Sequence, residues 1–121
     1  MLQIVFNEIS AAEISNLSTD LQLELLDEFK VSPEELENIE ANAAYGVIER
    51  SGQKLYRYRS RDMRIYFQVV EDKVIVHRVL HKNTLQDFLY RSKLPIAEDE
   101  ALSQSKVFWE LIEEGENARR A

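Results

Sequence analysis

The spacing of apolar residues divides this chain into helical and extended stretches. Leu2–Phe6 is a short unbroken apolar run and predicts an opening strand. Asn7 or Ser10 can cap a helix from Ala11 to Leu17, with Glu13, three residues after Ser10, as capping-box partner. Ser18, Thr19 and Asp20 break that helix and start a second, with Leu21, Leu23, Leu25, Leu26 and Phe29 on or near one face. Ser32-Pro33-Glu34-Glu35 opens a short third helix that runs to Ile39: a Ser cap, Pro at the first helical position and Glu at the third.

From Tyr45 the period falls to two. Tyr45–Glu49, Lys54–Arg61, Met63–Val70 and Val74–Leu80 are predicted strands, separated by Ser51-Gly52, Asp62 and Glu71-Asp72-Lys73. Connections this short make antiparallel neighbours, a meander. Thr84–Tyr90 predicts a short helix and Pro95 punctuates after it. Glu98–Glu114 predicts one last helix carrying Leu102, Val107, Phe108, Trp109, Leu111 and Ile112. The order gives an α+β fold, with helices on one face of an antiparallel sheet. Residues 1–95 form the domain, and residues 96–121 are an acidic C-terminal helical extension packed on it.

Charge changes this picture more than composition does. The 121 residues are 45% hydrophobic with net charge −7, enough for one globular core. Residues 1–53 hold two Lys/Arg against eleven Asp/Glu; residues 54–93 hold ten against four; residues 94–121 hold three against seven. A basic sheet lies between two acidic flanks. It can hold an anion at one surface, while the whole molecule is repelled by nucleic acid at long range. The chain has no cysteine, which excludes disulfides and thiol catalysis and fits a reducing cytosol. No secretory signal and no membrane-length apolar run stand in the sequence, so a cytoplasmic, non-membrane protein is expected.

Alternation puts Leu55, Arg57, Arg59 and Arg61 on one face of their strand and Tyr56 and Tyr58 on the other. The arginine face is either the solvated side of the sheet or a site for an anion or a partner. Arg64 shares a face with Tyr66 and Gln68, extending that patch or pairing with a neighbour such as Asp62. His77 and His81 fall together with Ile75 and Val79. Two histidines with no third ligand give no metal site, and three scattered glycines give no phosphate loop, so no cofactor is expected. Phe108 and Trp109 dock the last helix, whose acidic residues either face solvent or lie across the basic sheet.

The segment Lys54–Lys82 resembles the RelE/ParE superfamily, the toxin halves of bacterial toxin–antitoxin pairs. The resemblance rests on the succession Tyr56-Arg57-Tyr58-Arg59, Arg64-Ile65-Tyr66-Phe67-Gln68-Val69, Val74-Ile75-Val76-His77-Arg78-Val79 and His81-Lys82. It implies metal-independent cleavage of mRNA on the ribosome, in which the 2′-hydroxyl attacks the adjacent phosphate. Arg64, His81 and Lys82 match the family's catalytic positions. Arg57, Arg59, Arg61 and Arg78 match basic positions for RNA or a partner, with Tyr58, Tyr66, Phe88 and Tyr90 as stacking residues. The chain departs from that pattern: it is acidic overall, Leu80 stands where the family usually has glycine, Asn83 follows the basic pair, and a helix is added after Pro95.

These departures favour a RelE-like protein of attenuated or absent toxicity. It would regulate RNA metabolism or translation by binding a protein, such as an antitoxin, a ribonuclease or a ribosome-associated factor, with RNA or ribosome contact through the basic sheet. The alternative is a ribosome-dependent mRNA endoribonuclease, the toxin of a toxin–antitoxin pair.

Overall fold

A computed structural model describes residues 2–85 and 98–121. The elements are β1 (Gln3–Phe6), α1 (Glu8–Ser15), α2 (Thr19–Glu28), α3 (Pro33–Glu37) and a 3₁₀ turn (Ile39–Ala41). There follow β2 (Tyr45–Arg50), β3 (Gln53–Ser60), β4 (Met63–Val70), β5 (Lys73–His81), α4 (Glu98–Ser103) and α5 (Lys106–Asn117). The fold is α+β. Phe88, Tyr90 and Pro95, and most of the helix expected over Thr84–Tyr90, lie outside the described residues.

The five strands form one sheet in the order β1-β5-β4-β3-β2. The meander β2–β5 is antiparallel, as the short turns require, but β1 pairs parallel with β5, so the sheet is mixed. Two-residue turns join the meander strands, with Ser51, Gly52, Arg61 and Glu71 at positive φ. A second correction concerns β5. Tyr66 pairs with Arg78 but Phe67 pairs with Val76, leaving His77 as an extra, bulged residue. The bulge reverses the alternation that follows it. His77 therefore joins Gln68, whereas His81 lies opposite Met63 on the other face.

Helices cover both faces, not one. On the first face α1–α3 pack Ile14, Leu25 and Phe29 onto Tyr58, Ile65, Phe67 and Val76. The Phe29 ring lies 5.2 Å from that of Tyr58 and 5.4 Å from that of Phe67. On the second face Leu102, Phe108, Trp109 and Ile112 cover Ile48, Leu55, Tyr66 and Leu80. The single last helix expected from periodicity is two helices. Ser105 caps α5 by accepting from the Phe108 N–H, and the Trp109 indole donates to Ser103 O across the break.

Asn7 ties these parts together. Its Oδ1 accepts from the Ser10 N–H at 2.7 Å, and the Ser10 hydroxyl accepts from the Asn7 N–H, a reciprocal cap of α1. Glu13 has another role, described below. The Asn7 amide nitrogen lies within hydrogen-bond distance of three carbonyls: Val76 O and His77 O on β5, and Gly115 O on α5. Gly115 has no room for a side chain, because a Cβ there would sit 2.3 Å from His77 O. Asn7→Ala removes a cap and leaves buried carbonyls unpaired, so it should cost about 3 kcal/mol in urea unfolding. Asn7→Asp, which keeps the cap but aims a carboxylate at those carbonyls, should recover none of it.

Candidate functional site

The second face gathers Arg57, Arg59 and Arg64, the arginines that strand alternation places together. In the register Arg59 stands directly opposite Arg64, a like-charge pair that repels unless an anion lies between. α4 supplies that anion. Glu98 accepts from Arg59 Nη2 at 3.2 Å and from Arg64 Nε at 3.4 Å. Asp99 takes the Arg57 fork with both oxygens, at 3.2 Å from Nε and 2.8 Å from Nη2. Gly46, beside Arg57 in the sheet, leaves room for this pair, since a Cβ would fall within 3 Å of both partners.

Backbone oxygens hold the other edges of the two buried guanidinium groups. Arg57 Nη1 donates to Ala44 O at 2.9 Å, and Arg64 Nη1 donates to Arg61 O at 2.9 Å and Met63 O at 3.1 Å. Between the arginines lies Tyr66, fully buried, its hydroxyl without a hydrogen-bond partner among the described residues. Burial, and after it the charges of Glu98 and Asp99, push its phenol well above the usual range. Tyr66 is thus a neutral hydroxyl facing two carboxylates and two guanidinium groups.

The remaining residues singled out by sequence fall elsewhere. Arg61 sits in the β3–β4 turn and reaches Glu24 of α2, on the first-face side. Tyr58 is buried on the first face against Phe29 and Tyr45. Arg78 is structural cement: its Nε and Nη2 engage Glu13 of α1, and its Nη1 reaches Leu111 O and Glu114 of α5. Glu13 also accepts from the Val79 N–H on the stretch of β5 that β1 does not cover. Lys82 pairs with Asp62 at 3.1 Å, a contact that lowers the Asp62 carboxyl. His81 Nδ1 accepts from the Asn83 N–H and its ring borders an apolar groove with Leu17, Leu25 and Met63. Arg64 and His81 therefore lie on opposite faces of the sheet, although Lys82, His81 and Arg64 all help to lower the Asp62 carboxyl.

Sequence reasoning offered the acidic residues of the last helix as a cover for the basic sheet, and Glu98 and Asp99 lie there; it singled out neither of them individually, nor the Tyr66 hydroxyl. The alternation of charge between sheet and flanks was the available signal. Among the described residues no cluster of three or more His, Asp or Glu side chains is arranged to hold a metal ion. None of the described helices is long and apolar enough to cross a membrane. Comparisons with protein-family models, curated proteins and solved structures find no match, so the likeness to RelE/ParE toxins rests on the residues quoted above.

His77, on the bulge, is the other chemically distinct group. Gln68 Nε2 donates to Lys54 O, which turns Gln68 Oε1 toward His77 Nε2 at 2.8 Å. The ring proton therefore sits on Nε2, and the buried Nδ1 has no partner among the described residues. Burial drives the imidazole down to about 4 from 6.5.

Two measurements follow. Only 6% of the Arg57 side chain is exposed, against 43% for Arg59. Asp99→Ala should cost about 3 kcal/mol by stranding a buried cation, whereas Arg59→Ala should cost at most about 1 kcal/mol in the same denaturant titration. For His77, the folded-state pKa lies below the unfolded one, so its contribution is complete above 6.5 and is lost as pH falls toward 4. Stability should drop by up to about 3 kcal/mol across that window, and His77→Gln should flatten the drop.

Proposed function

We propose that this chain is a RelE-like regulator of RNA metabolism or translation that works in the cytoplasm by binding a basic protein, without cutting RNA itself. The observation that carries this reading is the internal pairing of Arg57, Arg59 and Arg64 with Glu98 and Asp99. The charges best suited to a phosphate are neutralised within the chain, and the outer surface keeps the acidic excess. His81, facing away from Arg64, supports the same reading.

The first-face helices offer the docking chemistry. On α2, Leu23 and Leu26 are exposed one turn apart, flanked by Asp20, Asp27 and Glu28. Apolar anchors inside an acidic rim suit the basic surface of an RNA-processing protein, and such a rim competes with RNA for that surface. The link to RNA metabolism comes from the resemblance of residues 54–82 to the toxin family.

The test has two arms. In a translating extract, the purified chain should leave mRNA intact. Ribosome-dependent cuts that vanish in Arg64→Ala would overturn the proposal and establish the endoribonuclease. In a pull-down, the chain should retain a basic RNA-processing or translation protein in a salt-sensitive way, and Asp20→Lys/Asp27→Lys should release it.

A further inference from the structure

A cleft of about 390 Å³ opens between the β2–β3 turn and the C-terminal half of α5. Arg50, Ser51 and Gln53 line it from the sheet, and Trp109, Glu113 and Glu116 from the helix. The volume falls in the range of ligand clefts, roughly 300–1,000 Å³. Both walls are fixed. Ser51 and Gly52, at positive φ, set the turn. Phe108 and Ile112 in the core, with Gly115 seated against His77 O, hold the helix.

The lining selects a cation. Trp109, Glu113 and Glu116 are spaced four and three residues apart, so they share one face of α5. The Trp109 N–H already donates to Ser103 O, so the indole meets the cleft with ring carbon. Gln53 Nε2 donates to Glu116 Oε1, leaving Oε2 for another donor. Of the neighbouring carboxylates, Glu114 is taken by Arg78 and Glu110 lies 4.0 Å from Lys106, whereas Glu113 enters no ion pair among the described residues.

Within the chain alone these carboxylates are badly placed. They lie near the negative end of the α5 dipole, and the last turn carries no basic residue to offset them. A cation bound between them relieves both their mutual repulsion and their conflict with the dipole. Arg50, the one cation among the lining residues, forms no ion pair among the described residues and does not supply that relief. Of the cationic side chains, arginine suits the cleft better than lysine. Its plane stacks on an indole and its fork reaches two carboxylates at once.

We infer that this cleft seats an arginine side chain of an extended basic segment, its guanidinium stacked on Trp109 and shared by Glu113 and Glu116. The inference rests on the proposed basic partner for the bearer of that arginine. It adds a second contact site, on the C-terminal helical extension and away from both α2 and the segment that resembles the toxin family.

Trp109 is the only tryptophan in the chain, so its fluorescence reports on the cleft directly. The full chain is titrated at low salt with a capped Gly-Arg-Gly-Arg-Gly peptide, and with versions carrying lysine or citrulline, the neutral isostere of arginine. The arginine peptide should change the emission saturably, and Glu113→Gln/Glu116→Gln should weaken its binding about tenfold. The lysine peptide should bind several-fold more weakly, and the citrulline peptide should not bind. Absence of a saturable response, affinity unchanged in the double variant, or lysine or citrulline bound as tightly as arginine each overturns the inference. Should the double variant fail to fold, Arg50→Gln decides. Removing that like charge should tighten the arginine peptide about threefold, and no tightening overturns the inference. The pull-down reads Asp20 and Asp27 on α2, so the two proposals fail separately.

Discussion

A sheet covered on both faces has no solvent side for its charged residues. That constraint shapes the molecule. β3 and β4 bring three arginines to the second face, and once α5 seats Phe108, Trp109 and Ile112 there, the arginines lie under or beside a helical layer. A guanidinium group keeps its charge in any protein environment, so burial demands a partner anion. Glu98 and Asp99 meet that demand, and Arg78 is met in the same way by Glu13 and Glu114. The acidic flanks are thus the counter-charge of the sheet, placed where sheet cations would otherwise be stranded.

The sheet margins follow a related rule. Backbone groups on β5 beyond the end of β1 need partners, and α1 provides them through Asn7, Ser10 and Glu13. The residues after α5 complete the closure: Arg119 O accepts from the Glu8 N–H, and the Ala121 N–H donates to Phe6 O. One turn after β1 therefore anchors both layers of helices. His77, bulged at the centre of this region, seats its carbonyl against Gly115 and leaves its Nδ1 without a partner among the described residues.

Much of the architecture was legible in local pattern. The meander from Tyr45 to His81 could be read because its turns are short and its period is two, and α2 and α3 because Ser18 and Ser32 cap them. Three features were not legible, each for a physical reason. The parallel pairing of β1 with β5 is non-local and leaves no mark in a four-residue apolar run. The bulge at His77 adds a residue without Gly or any other turn signal. The break before Ser105 is hidden because apolar residues continue on both sides of it. The site was half legible: alternation put Arg57 and Arg59 on one face with Arg64 as a candidate neighbour, but which anion they meet depends on the path of the chain after β5. His81 was placed with His77 because strict alternation cannot register an inserted residue.

The contacts of Asn7 also bear on how the chain acquires its structure. Its amide nitrogen reaches across 69, 70 and 108 residues of sequence. During synthesis the α1 cap can form early, but the contact with Gly115 must wait until the 108 residues that separate the two positions have been made. Closure of such long loops comes late and is slow, because the entropy of bringing the ends together is lost before the contact rewards it. Interactions completed after the transition state act chiefly on the unfolding rate. The Asn7 junction is therefore a kinetic fastener, lengthening the life of the native state more than hastening its arrival.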